Sequence, residues 1–64
     1  MYTISLSTGP VLYIQPVNHK GTVKTLNDIE QEASQRIAAL STAGKLLGPD
    51  LKVICKFDSF GKKI

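Results

Sequence analysis

Apolar and polar residues alternate strictly from Tyr2 to Ser7, with Tyr2, Ile4 and Leu6 on one side and Thr3, Ser5 and Ser7 on the other. A period of two predicts a half-buried strand. Thr8-Gly9-Pro10 supplies a turn. Val11–Gln15, β-branched and aromatic, predicts a second strand. Pro16 lacks the N–H that an interior ladder needs, so this strand ends there or lies at a sheet edge. Asn18-His19-Lys20-Gly21 reads as another turn, and Thr22-Val23-Lys24 as a short strand.

The period then lengthens. Leu26, Ile29, Ala33, Ile37 and Leu40 recur at spacings of three and four, one apolar stripe along a helix whose wet side holds Gln31, Glu32, Gln35 and Arg36. Thr25 or Asn27 can cap its start, and Asn27 with Glu30 has the spacing of a capping box. Asp28, Glu30 and Glu32 suit the positive end of the helix dipole. Gly44 ends the helix, or Leu46 and Leu47 carry it on to Gly48-Pro49. Leu51–Phe57 predicts a last strand with Leu51, Val53, Cys55 and Phe57 towards the helix and Lys52, Ile54 and Lys56 away from it. Asp58–Gly61 makes a turn and Lys62–Ile64 a short return.

These elements predict a single α+β domain over residues 1–64. One helix packs on one face of a small, mostly antiparallel sheet of three or four strands, in the order β-β-(β)-α-β. Ile29, Ala33, Ile37 and Leu40 are expected to meet Ile4, Leu6, Val53 and Phe57. A lone helix leaves the other sheet face open. That face is expected to carry Thr3, Ser5, Val11, Tyr13, Gln15, Lys52, Ile54 and Lys56, and an exposed patch of this kind marks a contact site.

Charge sharpens the picture. Met1–His19 contains no Asp, Glu, Lys or Arg, where average composition would place roughly five charges. Polar residues and prolines interrupt every apolar run in that stretch, so it is not a membrane span. Residues 1–44 are neutral overall, and the net charge of +3 comes from Lys45, Lys52, Lys56, Lys62 and Lys63 set against Asp50 and Asp58. Lysines at this end either keep an edge strand and tail soluble or contact a polyanion. The candidates for the second role are Lys52, Lys56, Lys62 and Lys63.

Composition narrows the chemistry. A chain of 64 residues buries only about 60% of its extended surface and is marginally stable by itself. Cys55 is the only cysteine and His19 the only histidine, so an internal disulfide is excluded and no zinc-ligand spacing exists. Self-association or a partner therefore gains weight. No catalytic, metal or cofactor site is expected. His19 falls in a turn, the helix carboxylates serve the dipole, and Cys55 alternates into the core as a small hydrophobe. Ala39–Leu46 is spaced like a phosphate-binding loop, but Ala39 replaces its first glycine and Leu46 the hydroxyl residue after the lysine. No signal-peptide pattern is visible and the single thiol suits a reducing compartment, so a cytoplasmic protein is expected.

The function expected is therefore a non-enzymatic protein-interaction module. It fits the size class of accessory, regulatory or inhibitor proteins encoded by phages and mobile elements, and it would dimerise or dock a partner through Val11, Tyr13, Gln15 and Ile54. The alternative is a single-stranded nucleic-acid binder that stacks a base on Tyr13 and holds phosphates with Lys52, Lys56 and the basic C-terminal end.

Overall fold

In the computed structural model, which describes Met1–Ile64, β1 (Tyr2–Leu6) and β2 (Val11–Ile14) form an antiparallel hairpin with Ile4 opposite Leu12. The Leu6 N–H donates to Pro10 O at 3.0 Å and the Gly9 N–H to Leu6 O at 3.0 Å. Gly9, at φ 111°, adopts the left-handed backbone that closes this tight turn. Thr22–Lys24 does not form a strand. Only an isolated bridge, Val17 to Val23, ties the loop before the helix.

The helix α1 spans Leu26–Leu40. Its capping box lies two residues before the Asn27–Glu30 pair: Thr25 Oγ1 accepts from the Asp28 N–H at 3.1 Å, and Asp28 Oδ2 accepts from the Thr25 N–H at 3.3 Å. The two orphan donors satisfy each other's residues in the S/T-x-x-acid manner, with Asp28 standing in for the longer Glu. At the far end Ser41 turns into the left-handed region at φ 51°, and its N–H reaches the carbonyls of Ile37 and Ala38. The helix is finished there.

Gly44–Leu47, expected to end or extend the helix, is instead a strand, β3, at the centre of the sheet. It pairs antiparallel with β1 on one side and with β4 (Val53–Phe57) on the other, and the strand order is β2-β1-β3-β4. The cap at Ser41 removes the helical option, and the short Thr42–Ala43 link delivers the chain to the unpaired side of β1. Gly44 is required by proximity. A Cβ there would lie 3.1 Å from Leu6 Cδ2 and 3.3 Å from Ile37 Cδ1, so the glycine lets α1 sit down on the sheet.

The architecture is thus α+β, one helix against a four-stranded antiparallel sheet. The core is the layer between them: Ile4, Leu6, Ile14, Leu46, Cys55 and Phe57 from the strands, and Ile29, Ala33 and Ile37 from the helix. Leu26 and Leu40, at the ends of the stripe, are half exposed and outside it. The last strand also departs from expectation. Leu51 is 70% exposed in a turn at φ 65°, with its N–H bonded to Gly48 O at 2.9 Å. A bulge between Leu46 and Leu47 then sets Leu47 opposite Val53, while Leu46 faces Cys55. One extra residue shifts the alternation, so Cys55 and Phe57 keep the helix side and Val53 does not join the core.

After β4 the chain turns at Asp58–Gly61 and returns along the strand's outer edge. The Asp58 N–H donates to Lys62 O at 2.9 Å, the Ile64 N–H donates to Lys56 O at 3.0 Å, and Phe57 and Lys63 form one bridge in place of a return strand. Ser34 Oγ on α1 donates to Gly61 O and pins this return to the helix. No helix is long and apolar enough to cross a membrane.

Candidate functional site

Cross-strand partners share a face of the sheet, so the pairing register fixes which side chains lie opposite the helix. Two rows run across that open face. One is Tyr13–Thr3–Leu47–Val53 and the other Val11–Ser5–Lys45–Lys56. The first row has no charge. Thr3 at its middle is only 9% exposed although no helix covers this side, because Tyr13 and Leu47 flank it. Tyr13 is 59% exposed and Val53 50% exposed, a cost in apolar hydration that the fold leaves standing.

Lys45 and Lys56 lie directly opposite each other in the second row. Like charges so placed destabilise a sheet, and no carboxylate relieves them. All three ion pairs involve helix carboxylates instead: Lys24–Glu32 at 2.8 Å, Arg36–Glu32 at 3.3 Å and Lys63–Glu30 at 2.8 Å. A shallow cavity of about 290 Å³ opens beside the lysine pair, with Ser5 and Ser7 in its lining. The molecule is therefore two-sided, with Glu30 and Glu32 compensated on the helix and Lys45 and Lys56 uncompensated on the sheet.

Of the residues singled out in the sequence, Val11 and Tyr13 share the open face with Lys56. Ile54, 38% exposed, is the bulged residue of β4, at the opposite edge of the sheet from Val11 and Tyr13, and Gln15 follows the end of β2. Lys52 precedes β4, where its N–H bonds to Asp50 Oδ1 at 3.1 Å. Lys62 is in the exposed return, and Lys63 is drawn to Glu30 on the helix, away from the other lysines. Sequence reasoning missed Lys45 and Leu47, because a helical reading of that segment gives them no sheet face. The readable signal was Ser41-Thr42 before Gly44: two helix-weak residues and a glycine ahead of an apolar run short enough for a buried strand.

Cys55 is buried, and desolvation, followed by the nearby negative charge of Glu30, pushes its thiol above the ordinary 9.0. A protonated buried thiol is a poor nucleophile. His19 is exposed in its turn, where Asn18 Oδ1 accepts from the Lys20 and Thr22 N–H groups. Ala39–Leu46 runs from helix into strand, the reverse of the strand-to-helix order that cradles a phosphate. Comparison of the chain with protein-family models, curated proteins and solved structures finds no match.

Proposed function

We propose that the protein is a non-enzymatic interaction module of accessory or regulatory type, and that its working surface is the open face of the sheet. The reading rests on one observation: the uncharged row from Tyr13 to Val53 runs parallel to a row ending in the unrelieved Lys45–Lys56 pair. A protein partner with an apolar patch bordered by carboxylates matches both rows at once. It would bury the apolar side chains and neutralise two lysines whose mutual repulsion otherwise costs stability. Tyr13 is the natural anchor, offering a large contact area at little entropic cost. The free Cys55 thiol is compatible with a reducing cytoplasm.

The test is capture from nuclease-treated lysate on immobilised protein, with Tyr13→Asp plus Leu47→Asp on the open face and Gln35→Lys on the helix as control. A specific protein retained by the parent and the control but lost from the face variant supports the reading. Equal retention by all three overturns it.

The same lysine pair, on the open face that also carries Tyr13, favours a second reading, single-stranded nucleic acid. That reading requires retention of DNA or RNA that falls steeply with salt, with a log–log slope of about −0.7 per phosphate contact, and that disappears in Lys45→Glu plus Lys56→Glu. Retention by the parent that is insensitive to salt excludes it.

A further inference from the structure

The two edges of the sheet are not equivalent. Along β4, the outward carbonyl of Lys56 and the outward N–H of Asp58 are already bonded to the returning chain at Ile64 and Lys62. Along the outer edge of β2 no backbone bond is made. The bond from Leu6 N–H to Pro10 O, with Ile4 opposite Leu12, puts the even-numbered residues of β2 in the hydrogen-bonded pairs with β1. In an antiparallel ladder the intervening residues turn their backbone groups the other way. Val11 and Tyr13, and Gln15 beyond them, therefore aim N–H and C=O away from the sheet. None of the bonds outside the helix and strand ladders involves these three.

Edges are ordinarily protected by prolines, charges or bulges. Here Pro10 and Pro16 bracket the strand, but both are even-numbered, so neither removes an outward donor. Pro16 also disfavours helical backbone at Gln15. The strand itself carries no charged side chain, because Met1–His19 has none.

We infer that β2 pairs antiparallel with β2 of a second copy of this chain, about a two-fold axis through Tyr13. Tyr13 then exchanges two hydrogen bonds with its counterpart, and Val11 exchanges two with Gln15 on each side. That makes six in all, by the alternation of an antiparallel ladder. Moving the axis to Leu12 or Ile14 leaves fewer outward groups opposite one another, so the Tyr13 register is preferred. It sets Leu12 beside the partner's Ile14 on the helix side, and Tyr13 beside the partner's Tyr13 on the open side. A strand meeting its own copy under a two-fold is self-complementary by symmetry, and its neutrality removes the like-charge penalty that a pairing through the lysine-bearing β4 would carry. The product is one continuous eight-stranded sheet, with the uncharged rows joined at its centre and the lysines at its ends. The inference rests on backbone groups at an edge and is independent of what the open face docks.

The contact is small, so association is expected to be weak and concentration-dependent. Sedimentation and amide hydrogen exchange on the intact protein from about 10 µM to about 1 mM span the range for such an interface. The mass should rise towards that of a dimer, and exchange at Val11, Tyr13 and Gln15 should slow by about tenfold or more while Leu12 and Ile14 stay constant. Tyr13→Pro removes the outward N–H and leaves the β1 ladder intact, so it should stay monomeric. Tyr13→Thr keeps the N–H and should still dimerise. A monomer at every concentration overturns the inference, as does protection at residues outside β2 or equal loss of the dimer in both variants. If Tyr13→Pro fails to fold by circular dichroism, exchange in the parent alone decides.

Discussion

Leu46 and Leu47 are adjacent, chemically identical, and placed on opposite faces of β3. Leu46 is fully buried between Ile4 and Cys55, whereas Leu47 lies on the open side beside Thr3. Truncating Leu46 to alanine removes buried methyl groups and leaves a cavity, at a cost of about 2–5 kcal/mol. A chain of this size holds about 3–10 kcal/mol in total, so the loss takes a large share and lowers Tm by about 10 °C or more. Leu47→Ala sheds only half-buried surface and should cost about 1 kcal/mol or less. Leu47→Asp should still fold, whereas Leu46→Asp should not. Urea unfolding followed by circular dichroism compares the four variants directly. A helical Gly44–Leu47 would separate the two side chains by only about 100° around one axis and make their costs similar. Comparable destabilisation by Leu46→Ala and Leu47→Ala would refute the strand, and the two rows with it.

Lys45→Glu replaces a like-charge pair by an opposite-charge one across β3 and β4 and should raise stability by about 0.2–1 kcal/mol, while weakening capture of an acidic partner. Unfolding and capture of the same variant check both. Gly61 sits at φ 83°, where an added Cβ would come within 2.5 Å of Ser34 O. Gly61→Ala should therefore cost about 1–3 kcal/mol and free the Lys62–Ile64 return, read as loss of amide protection at Asp58 and Ile64. Cys55 and Lys63 both have raised pKa values, the thiol chiefly through burial and the ammonium through its hydrogen bond to Glu30. Each raised value stabilises the fold below the ordinary pKa, 9.0 for the thiol and 10.5 for the ammonium. That contribution is lost as pH rises through the folded value. Unfolding free energy should decline from about pH 9 upward, and Cys55→Val should flatten the first part of the decline.

The first hairpin was legible because Tyr2–Ser7 alternates cleanly and Gly9 and Pro10 punctuate it. The helix was legible because Ile29, Ala33 and Ile37 hold their period. What could not be read was β3. Four residues hold too few periods to separate strand from helix, and the apolar pair Leu46-Leu47 matches either. Losing β3 cost the sheet its central strand and the open face two members, Lys45 and Leu47. The bulge was equally silent, since Leu51, Val53, Cys55 and Phe57 alternate well, and only pairing with β3 reveals that Val53 has left the core side. The Lys63–Glu30 pair joins residues far apart in the chain, and a charge count cannot tell a paired lysine from a free one.

The open face as the working surface is tested most directly by residue-resolved nuclear magnetic resonance of the isotope-labelled protein titrated with nuclease-treated lysate. The account predicts selective broadening at Tyr13, Thr3, Leu47 and Val53, extending to Lys45 and Lys56, with Gln31, Gln35 and Arg36 on the far side of the helix unaffected. Broadening centred on the helix, or none at any residue, would contradict it.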